Sequence, residues 1–573
     1  MAATCGRTAA RCWQAEQAVV DSPGPEHPAK TVRHFRQTLL WPVQIVRASE
    51  TTTVHDYFSL LATPGPDNPW SEVDDEFTGE PDDFQERHYN EFVTFLPSVQ
   101  RFLYGQGIGS SVRLSFGESP IKVMRRSGVS AVRVLLSNET QPIVFQVAHI
   151  DLYLFFDIDV AILAVEIYAD NLPLTMAQEA MYQLGHAYPA YWTAEGQAGH
   201  CPQSVDWLSP SGEVLATSDY ENRQKYLTFV NTHRAPSVAS HWDFIMKPLV
   251  LDHRDRRGEL RYRQLEYYRM PVMAYLAMDN PRALTRADYI RLALTSASGD
   301  SASLPLAEGY LADFEKKHCC DRNFEDKPGA DWANTRYMSA GYSLVVTGDA
   351  NNAYFSDLDK GFLSKFRHQH FLLFLVAHFH KAALLMFSDR LSEAVNKLDV
   401  HDQRATNRFR HEIRHTLESF LRFVHRYWFH NVSDHGLEQE LFELCRRNLG
   451  VDAFYAQVRQ EVHDMSGFLE NEAQRRQNES MMRLTVVTTF GLIGTIVTGF
   501  LGMNLFSMSD MSAGAKILVF LAVTVPTALL TFYTVQRSRE LAEYLELLAD
   551  SKVRPAAKLA ALLRVWTSKP RSD

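Results

Sequence analysis

Two uncharged runs near the C-terminus interrupt an otherwise mixed pattern of polar and apolar positions. Residues 484–503 (LTVVTTFGLIGTIVTGFLGM) and 517–535 (ILVFLAVTVPTALLTFYTV) hold 20 and 19 residues without an acid or a base. A bilayer core is crossed by about 20 apolar residues in helical form. The pattern therefore predicts a transmembrane hairpin with spans 484–503 and 517–535. The loop 504–516 between them carries only Asp510 and Lys516 as charges.

Upstream of the first run, from Val451, the chain has no proline and only Gly467 as a glycine. This predicts one long helix that enters the bilayer unbroken as a stalk. Helical spacing also covers 362–398, 402–429 and 437–448. The apolar stretch FLLFLVA in the first of these is seven residues long and bounded by histidines, which marks a core helix rather than a third span.

Between 112 and 174 the period changes to that of strands: VRLSF, AVRVLLS, PIVFQVAHI, DLYLFF and VAILAVEIYA, separated by turn residues. A helix is expected over 175–187, with Thr175 as N-cap. WDFIMKPLVL, YYRMPVMAYLAM and YSLVVTG read as strand or mixed segments, and LTRADYIRLALTSA as a helix. The fold class expected is an α+β cytoplasmic domain with a mixed sheet over 31–357, then a helical stalk over 358–483, the hairpin, and a helical tail over 536–573. The tail suits either the inner membrane surface or the stalk. Residues 1–30 are polar and proline-rich and are expected to be disordered. The acidic stretch 63–90 is expected to be a solvated loop.

Composition changes this picture little. Hydrophobic residues make up 46% and charged residues 22%, and the net charge of -10 argues against a nucleic-acid partner. Six scattered cysteines contain no C-x-x-C pair, which fits reduced thiols in a cytoplasmic domain. Met1 to Val20 lacks the apolar core of a signal peptide. Arg475, Arg476 and Arg483 precede the first run, and Arg537 and Arg539 follow the second. By the positive-inside rule both termini face the cytoplasm, in a two-span protein of the cell (inner or plasma) membrane.

Two histidine patterns have spacings that metal sites also use. His411-Glu412-Ile413-Arg414-His415 has the spacing of a zinc-protease helix. It sits in a charged amphipathic helix without a marked third ligand, and an enzyme is the least favoured reading. His368, His370, His378 and His380 recur at helical spacing, and packing is favoured over ligation there.

Along the first run, steps of seven from Asn478 reach Thr485, Leu492 and Gly499, and from Met481 reach Thr488, Thr495 and Gly502. These form one stripe containing small, hydroxyl and amide residues. Val486, Phe490, Ile493, Val497 and Phe500 form a bulky apolar one. The first stripe suits either close helix packing or a polar path.

The run ends in Gly502-Met503-Asn504, and Asn478-Glu479-Ser480-Met481-Met482-Arg483-Leu484-Thr485 opens it. A Gly-Met-Asn triplet at the outer end of the first of two C-terminal spans, after a long soluble helix, resembles the CorA-type magnesium transporter family. The resemblance implies a homopentamer with the first span inside, no resident cofactor, and Mg2+ as both transported ion and possible regulator. It implies a selectivity motif of Gly502, Met503 and Asn504, with Asn504 meeting the hydrated cation. The pore-lining set is then Asn478, Met481, Thr485, Thr488, Leu492, Thr495 and Gly499, with Asp510 attracting cations at the mouth. Asp464, Glu470 and Glu472 become candidate regulatory carboxylates. The chain departs from the family at Leu501, where an aromatic is usual, and at Met508-Ser509-Asp510 in place of Met-Pro-Glu. These departures keep a Zn2+, Co2+ or Ni2+ transporter open, as well as a non-transporting membrane-anchored sensor or scaffold.

Overall fold

The computed structural model describes residues 30–46, 54–63, 65, 68–73, 86–105, 120–252, 260–266, 269–325, 334–398, 403–502 and 512–536. Expectations for 1–29, for the strand VRLSF, for Met503, Asn504 and Asp510, and for the tail from 537 lie outside these residues. The chain divides into two compact units, Met1–Glu461 and Val462–Asp573.

The first unit is a mixed α/β sheet domain whose described strands form one 14-stranded sheet. In chain order they are β1 Thr31–Val46, β2 Trp70–Glu72, β3 Ile121–Arg126, β4 Ala131–Leu135, β5 Ile143–Phe155, β6 Val160–Pro173 and β7 Ser204–Leu208. There follow β8 Val214–Thr217, β9 Val250–Leu251, β10 Arg261–Gln264, β11 Val272–Met278, β12 Cys319–Phe324, β13 Asn334–Ser339 and β14 Ser343–Asp349. The main path runs β12-β13-β14-β11-β1-β6-β5-β4-β7-β8, with β2-β3 attached to β5 and β9-β10 to β1. Only β11/β14 and β9/β10 are parallel pairs. Accordingly β11 reads as an unbroken apolar run and is buried at every position.

β1 is the spine. One edge pairs with β6 from Thr31 to Gln44. The other pairs with β11 up to Leu39 and with β10 from Val43. Pro42, which has no N–H to give, falls in the gap between these two partners, which is how a central strand tolerates it.

The named helices are α1 Glu86–Thr94, α2 Pro97–Tyr104, α3 Leu174–Gln183, α4 Ser240–Met246, α5 Arg286–Leu294, α6 Phe371–Asn396, α7 Gln403–Arg426, α8 Gly436–Leu449, α9 Val451–Gly502 and α10 Ala513–Gln536. Alternation sends Phe35, Leu39, Trp41 and Val43 of β1 into a core with Ala177 and Met181 of α3, Trp242 of α4 and Ile290 of α5. On the sheet, α6 also packs on β1 and β6. There Phe379 stacks on Phe155 with ring centres 4.1 Å apart, and Phe371 lies 5.7 Å from Tyr153.

Several local expectations are corrected. PIVFQVAHI and DLYLFF are one strand, β5, because Asp151 is held inside it by an arginine instead of turning out to solvent. The helix expected over 175–187 runs from Leu174 to Gln183, with Pro173 rather than Thr175 at the N-cap and no side-chain cap bond. WDFIMKPLVL is mixed, one of the two forms expected: it divides into α4 and β9, since Pro248 cannot continue the helix. The acidic stretch 63–90 is not all loop: it contains β2 and the start of α1. At the other end of the hairpin loop, α10 begins at Ala513, so residues 513–516 are helical.

The segment Phe362–Asn396 is, among the described residues, the helix long and apolar enough to cross a membrane, with a mean hydropathy of 1.7 over its best window. That window is 78% buried inside the protein, which makes it a core helix. It starts as a short α-turn, Phe362–Lys365, passes through a π-helical turn, Phe366–His370, and continues as α6. The two runs expected to span lie on α9 (up to Gly502) and α10.

Candidate functional site

Helix α9 follows α8 directly. Gly450 separates them in the left-handed conformation, φ 66°, which glycine adopts without cost, so a new helix can start at Val451. From there 52 residues are helical, about 80 Å at 1.5 Å per residue. Beyond Gly450, nothing in the sequence to Gly502 breaks the helix.

In the second compact unit the candidate stripe is laid out along one side of α9. Asn478, Met481, Thr485, Thr488, Leu492, Thr495, Gly499 and Gly502 are all exposed. Their spacing alternates three and four residues, the repeat of a seam between parallel helices. The other stripe differs: Val486 is fully buried and Phe490 half-buried. Gly494 continues that side, where an added Cβ would stand 3.1 Å from Cγ2 of Thr527 on α10. The hairpin therefore closes on the bulky side of α9 and leaves the small and polar side open. Met503, Asn504 and Asp510 lie outside the described residues.

The threonines of this segment are satisfied within the helix. The hydroxyls of Thr485, Thr488, Thr489, Thr495 and Thr498 donate to carbonyls four residues earlier, at 2.8–3.0 Å. Such bonds remove the penalty for a hydroxyl in an apolar medium, where no water can supply a partner. By contrast several large apolar side chains among the described residues have no cover: Leu484 is 65%, Leu492 62%, Leu518 69% and Leu529 64% exposed. A continuous exposed apolar surface of this kind marks a lipid or partner contact.

Among the candidate regulatory carboxylates, Asp464 and Glu470 are exposed, and Glu472 accepts from Arg476 at 3.1 Å. The two histidine patterns lie on α7 and on the π-turn with α6. His411 is exposed on α7, and among the described residues no group of three or more His, Cys, Asp and Glu side chains could hold a metal ion. His370, His378 and His380 are buried among rings, His370 beside Phe362, His378 beside Phe374 and His380 beside Trp428. His368 is half-buried and reaches Glu91 at 3.2 Å.

A second charged constellation escaped the sequence reading. Glu166 of β6 is 5% exposed and accepts from Arg36 at 2.6 Å and Arg367 at 3.0 Å, with His149 at 3.2 Å. Burial alone would raise its pKa; the charges of His149, Arg367 and Arg36 outweigh burial and hold it down at about 2. The signal was present in the sequence as an acid in the middle of the apolar strand VAILAVEIYA.

Residues 398–537 match the family described as CorA-like Mg2+ transporter protein, which supports assignment of the chain to that family. No curated protein and no solved structure matches the chain.

Proposed function

We propose that this chain, which carries a CorA-like domain over residues 398–537, is one subunit of a homopentameric Mg2+ channel. The family match gives the coarser reading, a divalent-cation transporter of the CorA type. The observation that carries the finer one is the open face of α9. A single hairpin cannot enclose a path, and its small and polar side is the side left without a partner in one chain. Five copies set side by side would turn that stripe, Leu492 included, inward and leave the exposed leucines of α10 to lipid. Both runs, 484–503 and 517–535, fall inside the family match, as does Gly502-Met503-Asn504.

At the outer mouth Asn504 would present a ring of neutral carboxamide oxygens. Magnesium sheds its water reluctantly. Carboxamides accept hydrogen bonds from the hydration shell without the tight grip of a carboxylate ring, and conduction needs release as well as binding. Asp510 adds one acid per subunit nearby. The membrane potential favours entry of a doubly charged ion by about 4.6 kcal/mol per 100 mV.

The test is flux of Mg2+, Zn2+, Co2+ and Ni2+ into proteoliposomes holding the full chain. Mg2+ flux blocked by cobalt hexaammine, and abolished or deranged by Asn504→Ala with assembly intact, is the expected result. Wild-type flux in that variant would remove Asn504 from the pore. The outer loop favours one second reading: Leu501 and Ser509 depart from the family pattern, and Zn2+, Co2+ or Ni2+ carried in preference to Mg2+ would select it. No flux of any of these ions, with crosslinking in membranes that stops at a dimer, would instead make the hairpin an anchor.

A further inference from the structure

We propose that the cleft between the sheet and the π-helical turn binds a small organic anion, with a carboxylate or phosphate head and an apolar body. The cleft lies within the first compact unit and has a volume of about 310 Å³, at the lower end of ligand pockets, about 300–1,000 Å³. β3 and β5 line one side, the π-turn and the first turn of α6 another, and α1 and α2 contribute at the edge.

Three permanent cations face this space: Lys122, Arg125 and Arg367. Both arginines are fixed in direction. Arg125 gives Nε and Nη2 to Asp151, each at 2.8 Å. Arg367 gives Nε at 3.0 Å and Nη2 at 3.4 Å to Glu166. The accepting carboxylates are 2% and 5% exposed, so the forks are anchored from beneath. Each guanidinium keeps Nη1, which bonds to none of the described residues. A guanidinium oriented in this way is prepared for an oxyanion and need not be ordered on binding.

The acids of the cleft are already engaged. Asp151 is taken by Arg125, Glu72 accepts from Lys122 at 2.9 Å, and Glu91 accepts from Tyr104 at 2.6 Å and faces His368 at 3.2 Å. Each of these acids already accepts a hydrogen bond, while the two guanidiniums keep their Nη1 edges for an incoming anion. Leu103, Phe371, Leu372 and Leu375 give the cleft an apolar wall beside these charges. Head and body of the ligand follow from these two surfaces. Arg367 and His368 also belong to the π-turn, a feature proteins often place at functional sites.

The experiment is calorimetric titration of the full chain in detergent micelles with phenyl phosphate, phenylacetate, inorganic phosphate and benzyl alcohol. Saturable binding of at least one aryl anion, one per subunit, is expected. Inorganic phosphate should bind at least about tenfold more weakly, and benzyl alcohol not at all. The tighter of the two aryl anions identifies the head group. Lys122→Gln and Leu372→Trp leave both anchored arginines intact, and each should weaken binding by about tenfold. Folded protein that binds neither aryl anion up to about 10 mM, or binds with the same affinity in both variants, overturns the proposal. So does binding of benzyl alcohol as tight as that of the anions. Flux plays no part in the readout, so failure here leaves the transport reading untouched.

Discussion

Single side chains already set how the sheet domain responds to acid. His186 and His241 are buried, and burial pushes both pKa values down to about 3, with Arg269 adding to the effect at His186. Their unfolded values lie near 6.5, so below that pH the unfolded chain takes up protons that the folded chain refuses. The stability these histidines give is complete above about pH 6.5 and is lost as pH falls toward 3, by about 2 kcal/mol for each at pH 5. Glu166 acts in a lower window. Its folded pKa of about 2 is below the ordinary 4.5, so its contribution is present above pH 4.5 and disappears between 4.5 and 2. Melting temperature of the full chain in detergent should therefore fall in two stages on acidification. His241→Gln should make the upper stage, between pH 6.5 and 5, shallower; an unchanged slope would show that this histidine does not report. Removing the Glu166 charge is a harsher change, because Arg36 and Arg367 would be left half-buried without their shared acid. Glu166→Leu should cost about 3–5 kcal/mol, read as a lowered melting temperature at pH 7.5.

At the scale of elements, the informative contact is the one between α9 and α10. Gly494 has only hydrogen where any other residue would place a Cβ 3.1 Å from Thr527. Small residues at such crossings let two helices approach where no hydrophobic effect draws them together. Gly494→Leu should prise the hairpin apart. The double variant Gly494→Cys, Thr527→Cys should form a disulfide within one chain when membranes are oxidised, detected by loss of labelling with maleimide. Free thiols after oxidation would place the two helices in another register. The two helices themselves were legible in the sequence to within a few residues, because the runs are rich in helix-compatible apolar residues and Gly467 alone cannot stop a helix. The sheet was legible as strands but not as an order, since pairing depends on contacts distant in the chain. β5 was missed as a single strand for a more specific reason. Asp151 looks like turn chemistry in sequence, and only the fold supplies the Arg125 fork that lets it stay in the ladder. The charged cleft was hidden in the same way: its members come from β3, β5, the π-turn and α6, and no local spacing unites them.

For the whole molecule, two apolar helices with opposite fates decide how it should behave when cut. α6 is the more obvious membrane candidate by composition, yet its apolar side chains are spent on the sheet and on α7 and α8. α9 and α10 are apolar where nothing in the described chain covers them, at Leu484, Leu492, Leu518, Leu521 and Leu529. The first compact unit ends at Glu461, before any of these residues. Chain ending at residue 461 should therefore stay in the supernatant on ultracentrifugation of lysate without detergent, while the full chain pellets with membranes and needs detergent to be extracted. The exposed seam of α9 starts at Asn478, so the cut also removes the surface proposed to join copies. The truncated chain should then run on sizing columns well below the full assembly, and crosslinking should lose the ladder to five expected of the intact protein. A truncated chain that still pellets with membranes would return α6 to the list of spans, and one that still assembles to five would move the joining surface out of the pore helix and into the sheet domain.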